Sequence, residues 1–406
     1  MADFLDNAKL NIERLKFFQA FEIQLTRLLG GWLPGVERWE TKHEIGLHIF
    51  QNAENSRDLR TRLWELRVSN PDKDVEAEVL KTTNALALAQ HDFELLTGVY
   101  LVVKKQLIEA YQAYVKSTHG VYDYPSIPVL KRCIATNTEQ LEWAKRELVL
   151  LTDSGEKKRK MQCWLRYTEE LVRAIGGIDG QGEKSDLPMP PPAYSLLLPF
   201  SEAKRDERFK VQIMGMPMPE KSERLEWLLW QFANYAAEMQ AAETLATVLW
   251  ETEGMPWEFY FDIARHCWDE VRHSKLGETR LAELGYHVSD FPCSVGSYAW
   301  RQLFDPLIRY CALTYIIEAG SFKLKHESYQ DYLVEGDTES AQAIMFDIVD
   351  ETMHVRWGSK WVPELMKHYD YGQTLEHLIE ACRDIVSSHS VAPAQRKAIE
   401  KELARA

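Results

Sequence analysis

The chain has 406 residues, of which 45% are hydrophobic and 11% aromatic. This composition excludes an intrinsically disordered protein, and the length favours two domains that each bury a core. The formal net charge of -14 argues against a nucleic-acid backbone or an anionic membrane as the main partner, because both attract clustered Lys and Arg side chains.

The six cysteines are scattered along the chain and form no paired-cysteine motif. This usage is typical of reduced thiols in a cytosolic protein, not of a disulfide framework. The N-terminal sequence MADFLDNAKL lacks a basic flank followed by an apolar run, and no stretch is apolar over the length that a membrane span needs. We therefore expect a cytoplasmic protein that binds neither a membrane nor nucleic acid.

Helical periodicity dominates the first 176 residues. The predicted helices lie near 5–29, 36–68, 74–117, 127–152 and 156–175. Glycine and proline residues punctuate the chain between them, where helices are expected to end. Residues 1–176 are thus predicted to form a first helical bundle.

Residues 177–221 are predicted to be a linker, since glycines and the proline-rich run from Pro188 to Pro192 cannot sustain a helix. Helical periodicity returns at Ser222, a residue type that favours the N-cap. The predicted helices lie near 222–251, 256–285, 297–330, 337–368 and 372–387. The prediction is an all-α protein, with a second helical domain at 222–390 and a peripheral C-terminal helix at 391–406.

Two segments of the second domain repeat an Asp-Glu-x-x-His arrangement, at 269–273 and at 350–354. Residues three apart share one face of a helix, so each Glu and His can direct an oxygen and a nitrogen at the same metal ion. Two further carboxylates, Glu243 and Glu318, lie among apolar and small residues on the other predicted helices. Both are therefore expected to face the interior.

Four carboxylates in one core would repel one another, and burying each without a partner costs on the order of several kcal/mol. Two divalent cations would balance four glutamates, and two neutral histidines would complete part of their coordination. The predicted metal ligands are Glu243, Glu270, His273, Glu318, Glu351 and His354. A single Glu-x-x-His pair is more often an exposed polar pair, so the repetition carries the prediction.

The order Glu, Glu-x-x-His, Glu, Glu-x-x-His resembles the ferritin-like di-iron carboxylate proteins, such as the small subunit of class I ribonucleotide reductase and bacterial multicomponent monooxygenases. The sequences EMQAAE at 238–243 and ARHCWDEVRH at 264–273 resemble a bacterial ferritin-like family of unassigned function. The resemblance spans roughly 195–370 and implies a four-helix bundle with the six matching residues as ligands. It also implies that Asp269 and Asp350 accept hydrogen bonds from the ligand histidines.

The first half repeats parts of the second half with the ligands replaced. Residues 48–55 align without a gap on residues 266–273, 218 positions later, which places Asn52 and Asn55 on Glu270 and His273. Neutral amides cannot balance two cations. We therefore predict that the first bundle is a degenerate, metal-free ferritin-like repeat, although a chance similarity of amphipathic helices stays an alternative.

A second alignment places Trp143 on Trp357, with Asn137 and Gln140 at the positions of the second Glu-x-x-His pair. More loosely, Glu22 and Glu94 parallel Glu243 and Glu318.

The resemblance implies an oxygen-dependent oxidoreductase. A non-haem di-iron centre, or a Mn/Fe or Mn/Mn centre, would use dioxygen and an unidentified electron donor to hydroxylate, desaturate or N-oxygenate a small organic substrate. Residues one turn from the ligands are predicted to line the substrate pocket, namely Thr247, Thr314, Tyr315 and Phe322. A homodimer is compatible with this hypothesis.

Two alternatives stay open at this point. The first is metal handling without an organic substrate, as in a ferroxidase or a peroxide-scavenging protein, although cage ferritins are single short bundles. The second is a metal-free helical scaffold whose carboxylates are solvated. The ligand types do not distinguish iron from manganese, since oxygen and imidazole ligands suit both.

Overall fold

The computed structural model describes residues 2–73, 75–192 and 194–389, with the backbone alone at 2–7 and 76. The chain divides into two compact units, Met1–Phe200 and Ser201–Ala406. Both consist mostly of helices, which confirms the all-α prediction. Residues 177–200 of the predicted linker belong to the first unit and 201–221 to the second, while the predicted helix at 391–406 lies outside the described residues.

The first unit contains seven α-helices in its described part. They are α1 (Ala2–Trp32), α2 (Trp39–Glu65), α3 (Glu76–Leu86), α4 (Asp92–Leu96), α5 (Lys105–Ser117), α6 (Ser126–Leu151) and α7 (Gly155–Ala174). A 3-10 turn, Leu33–Gly35, follows α1, and a π-helical stretch, Thr97–Lys104, joins α4 to α5. Helix α1 packs along α2, and α5 packs along α6.

The helix predicted at 74–117 is broken between α3 and α4. Glu94 accounts for the break, because its carboxylate Oε2 accepts hydrogen bonds from the backbone amides of Gln90 at 2.8 Å and His91 at 3.1 Å. These bonds satisfy amides at the start of α4 that have no partner within the helix. Glu94 is fully buried, and its carboxylate caps α4.

The core of the first unit contains a polar cluster centred on Lys104, at the end of the π-helical stretch. Its Nζ donates hydrogen bonds to Glu22 Oε2, Asn52 Oδ1 and Asn137 Oδ1, each at 2.7 Å. The Tyr111 hydroxyl and the Asn137 amide donate to the other Glu22 oxygen at 2.9 and 2.7 Å. Burial lowers the pKa of Lys104, and the Glu22 carboxylate opposes that decrease. One ammonium and one carboxylate thus balance each other.

The second unit contains eight further α-helices in its described part. They are α8 (Arg224–Ala237), α9 (Met239–Glu251), α10 (Trp257–Glu283), α11 (Gly296–Arg301), α12 (Pro306–Cys311), α13 (Ala319–Glu335), α14 (Thr338–His368) and α15 (Leu375–His389). A 3-10 turn, Val288–Asp290, follows α10, and a π-helical stretch, Ala312–Glu318, joins α12 to α13. Strands β1 (Val211–Gln212) and β2 (Cys293–Ser294) pair in parallel.

Helix α10 packs against α8, α9 and α14, and α13 packs against α14. The approach of α10 to α8 requires glycine at 277, since a Cβ atom there would lie 2.3 Å from the backbone nitrogen of Ala236. An apolar core holds one end of these helices together. Its buried members are Phe232, Tyr235, Leu281, Tyr332, Ala341, Ile344 and Ile348.

Among the described residues, no helix has both the length and the hydrophobicity that crossing a membrane would require. All six cysteines are free thiols.

Replacing Lys104 with methionine is expected to destabilise the first unit, because methionine leaves the Glu22 carboxylate buried without its cation. Losing one partner of a buried ion pair costs about 3–5 kcal/mol. Urea unfolding followed by circular dichroism should show a loss of this size. The control is Lys145→Met, which breaks an exposed pair with Glu142 and should cost less than about 1 kcal/mol. Equal losses in the two variants would contradict a structural role for the Lys104–Glu22 pair.

Candidate metal centre

Helices α10 and α14 bring the two Glu-x-x-His pairs to one buried place. Glu270 and His273 lie on α10, and Glu351 and His354 lie on α14, all with at most 3% of their surface exposed. Because residues three apart share a helix face, each Glu lies beside its own His. Glu318, the last residue of the second π-helical stretch, reaches the same place.

Three groups of side chains in the described part of the chain, all buried except the partly exposed Glu238, have ligand atoms close enough to hold a metal ion, within 4.8 Å of one another. They are His266, Glu270, Glu318 and His354; Glu270, His273 and Glu351; and Glu238, His273 and Asp347. Because Glu270 and His273 each belong to two groups, the three groups form one continuous set, called the buried cluster below.

The distances inside the buried cluster match those between two ligands of one ion. His266 Nε2 lies 2.9 Å from Glu318 Oε1, and His354 Nδ1 lies 3.3 Å from Glu270 Oε1. His273 Nδ1 lies 3.2 Å from Glu238 Oε2. Metal–ligand bonds of about 2.0–2.2 Å place neighbouring ligand atoms roughly 3 Å apart.

Many polar atoms of the buried cluster have no hydrogen-bond partner in the described structure. Eight such atoms lie on seven of its side chains: Glu238 Oε2, His266 Nδ1, Glu270 Oε1, His273 Nδ1, Glu318 Oε2, Glu351 Oε2, and both ring nitrogens of His354. A buried polar atom without a partner costs about 1–3 kcal/mol. Such atoms on carboxylates and imidazoles are the donor set that a divalent transition-metal ion binds, so these residues fit a metal ion.

The buried cluster also has a net negative charge that bound cations could balance. Lys325 Nζ binds Asp347 Oδ1 at 2.8 Å and Glu351 Oε1 at 2.6 Å. Burial would lower the pKa of Lys325, but these two carboxylates raise it well above 10.5, so Lys325 stays charged. Four glutamates and Asp347 against one lysine leave four formal negative charges. Two divalent cations would balance them.

The two aspartates of the repeated motif lie crosswise behind the histidines. Asp269 Oδ2 is 3.5 Å from His354 Nε2, and Asp350 Oδ2 is 3.4 Å from His273 Nε2. Arg272 Nη1 joins them, donating to Asp269 at 2.6 Å and to Asp350 at 2.9 Å. Burial would raise the pKa of Asp269, but contacts with His354 and the guanidinium of Arg265 lower it to about 2. Both aspartates are thus placed to orient an imidazole.

Glu243, which the sequence predicts as a ligand, lies in none of the three groups. Arg205 holds both of its carboxylate oxygens, with Nη1 at 2.6 Å and Nη2 at 2.9 Å, and the two side chains are almost completely buried. Glu238 stands beside His273 instead, at the residue where the predicted helix 222–251 breaks between α8 and α9. Metal binding by Glu243 would require the release of Arg205.

Sequence reasoning did not select Glu238, His266 or Asp347 as ligands. The internal repeat could have indicated Glu238, because it lies 216 positions after Glu22, and the other repeated pairs are separated by 214 to 218 positions. The helical period could have indicated His266 and Asp347. His266 and Asp347 each lie four residues before a cluster glutamate, on the same helix face.

A cavity of about 250 Å³ adjoins the buried cluster. The four glutamates of the cluster line one side of it, and Arg301 and Lys325 contribute cations to its wall. Carboxylates that are candidate ligands are therefore accessible to a small molecule.

The residues predicted to line a substrate pocket do not line this cavity. Thr247 accepts a hydrogen bond from Arg309 at 2.9 Å, and Thr314 donates one to the Tyr310 carbonyl at 2.9 Å. Phe322 packs against the apolar core of the second unit, and Tyr315 is half-buried elsewhere on the π-helical stretch. These residues lie one helical turn from a ligand, but their side chains do not face the cavity beside the cluster.

Glu238→Gln and Glu243→Gln are expected to differ in metal content, because only Glu238 has ligand atoms in the buried cluster. Elemental analysis should give about two ions per chain for the wild-type protein and for Glu243→Gln, but about one or fewer for Glu238→Gln. Thermal unfolding of both variants controls for folding. Loss of metal from Glu243→Gln alone would contradict the arrangement described here.

Comparison with known proteins gives one family. Residues 182–403, more than half of the chain, match the family described as "Protein of unknown function (DUF455)". No curated protein and no solved structure matches the chain. The matched region contains every residue of the buried cluster. The chain therefore belongs to the DUF455 family.

Proposed function

We propose that the second unit is a ferritin-like four-helix bundle that holds two metal ions and oxidises a small organic substrate with dioxygen. The observation that carries this proposal is the buried cluster, to which three helical stretches and the turn between α8 and α9 each contribute a carboxylate. Glu238 lies between α8 and α9, Glu270 lies on α10, Glu318 ends the π-helical stretch, and Glu351 lies on α14. Buried carboxylates gathered around two Glu-x-x-His pairs are typical of such dimetal proteins.

The grouping of the ligand atoms supports two ions that share a carboxylate. One ion would bind Glu318 and His354, with His266 close by, and the other would bind His273 with Glu351 or Glu238. Glu270 belongs to two of the three groups and would help to hold both ions. When bound, a pair of iron ions, or iron with manganese, supplies the redox chemistry that activates dioxygen.

The protein's own residues would prepare the site for this chemistry. Asp350 is hydrogen-bonded to the His273 imidazole, Asp269 lies 3.5 Å from the His354 imidazole, and Arg272 binds both aspartates. Lys325 donates a hydrogen bond to Glu351 and orients it, and its positive charge balances one negative charge of the cluster. Groups held in this way would orient the ligands of the metal ions and so favour a preorganised site.

The cavity favours an organic substrate over metal handling alone. Its volume of about 250 Å³ accommodates a small molecule beside the cluster glutamates, which a ferroxidase or a peroxide-scavenging protein would not need. The ligand set suits iron and manganese alike, so we propose a pair of iron ions or a pair that includes manganese.

The proposal also includes an electron donor, a cytoplasmic location, which the free thiols favour, and a homodimer.

Oxygen reactivity tests the proposal. Protein loaded with ferrous ion without air is expected to consume oxygen and to develop a new absorption band when air is admitted. Glu351→Ala should remove both responses, because it deletes a cluster carboxylate. Glu364→Ala, an exposed substitution on the same helix, should retain them.

Oxygen uptake and absorbance changes that are identical in wild-type and Glu351→Ala proteins would contradict the proposal. Peroxide turnover at full rate, with no organic compound oxidised, would favour the metal-handling function instead.

A further inference from the structure

We propose that Arg301 binds an anionic group, most simply a carboxylate, of the small molecule that occupies the cavity beside the buried cluster. The inference rests on the proposed function, because it names the chemical class of the substrate at that site. Arg301 is the last residue of α11, has 4% of its surface exposed and lines the cavity together with Glu270 and Glu318.

The contacts of Arg301 leave its positive charge poorly matched. Nη1 donates one long hydrogen bond, 3.4 Å, to the Thr244 hydroxyl, and Nε has no hydrogen-bond partner in the described structure. The guanidinium carbon lies 5.3 Å from the centre of the Trp300 ring. No carboxylate of the described residues pairs with this guanidinium within 4 Å. A cation–π contact offsets only part of the cost of burying a charge.

Two other buried arginine side chains of the second unit are each paired with a carboxylate. Arg205 holds both oxygens of Glu243, and Arg309 holds both oxygens of Glu251. Planar guanidinium groups bind carboxylates through two parallel N–H bonds. Arg301 is buried as deeply and lacks such a partner, and it faces a cavity instead.

The protonation state and the charge balance both support an anionic ligand. Burial lowers the pKa of Arg301 to about 10, with Glu270 and Glu318 opposing the decrease, so the side chain is charged at neutral pH. Two divalent ions would neutralise the carboxylates of the buried cluster, and the charge of Arg301 would then stand alone. One negative charge on the ligand would balance it. Lys325 cannot take this role, since it is bound to Asp347 and Glu351.

The cavity volume favours a compact acid as the ligand. At about 250 Å³ the cavity lies below the range of about 300–1,000 Å³ that is usual for drug-sized ligands. We therefore expect a small carboxylic acid whose carbon skeleton extends from Arg301 towards the metal-binding glutamates.

Calorimetric titration tests the role of Arg301 with defined probes. The protein is loaded with Zn²⁺, which has no redox chemistry, and titrated with acetate, with benzoate, and with benzamide as an uncharged match of benzoate. Wild-type protein should bind the carboxylates more tightly than benzamide. Arg301→Gln should weaken carboxylate binding about tenfold or more and leave benzamide binding unchanged, and Arg301→Lys should recover part of the loss.

Elemental analysis of the same samples separates this inference from the dimetal proposal. Equal carboxylate affinity in wild-type and Arg301→Gln proteins of equal zinc content would overturn the inference, because the anion would then bind the metal alone. Failure of both acetate and benzoate to bind the wild-type protein would overturn it too. Protein that takes up no metal, yet binds benzoate in an Arg301-dependent way, would contradict the dimetal proposal and leave the anion site standing.

Discussion

The constraint on which the structure depends is the neutralisation of carboxylates inside helical cores. A buried carboxylate without a partner costs on the order of several kcal/mol, a large part of the roughly 5–15 kcal/mol that stabilises a typical domain. The first unit meets the constraint with its own cation, since Lys104 binds Glu22 and two asparagine oxygens in a closed network. The second unit gathers four glutamates and Asp347 around a single lysine, and external cations would supply the rest.

The residues that neutralise charge in the first unit occupy positions equivalent to those of the cluster residues in the second unit. Lys104 and Glu318 each end a π-helical stretch and stand 214 positions apart, the same separation that relates Asn137 to Glu351. In the first unit the ammonium group lies among the residues that align with cluster glutamates. A protein-supplied cation at that place would make a metal ion there superfluous. The relation supports the proposed ferritin-like duplication, in which the first unit keeps the helical architecture and the second unit keeps the metal chemistry.

Local chemistry made much of this predictable from the sequence. The spacing of three residues places Glu270 beside His273 and Glu351 beside His354 whatever the surroundings, and the structure brings both pairs and Glu318 into the buried cluster. Glu243 was selected for its small, apolar neighbours, but its partner Arg205 lies 38 positions away in a segment predicted only as a linker. The residues predicted for a pocket do not line the described cavity, for a related reason. Which side of a helix adjoins a cavity depends on neighbouring helices and not on distance from a ligand.

The most direct test of whether the buried cluster holds two metal ions is an anomalous difference map. It is recorded at the absorption edge of the bound metal, from crystals of the protein purified without chelators. We expect two peaks inside the buried cluster and no peak near Lys104. A cluster without a peak, or a peak at Glu243 in place of the cluster, would contradict this expectation.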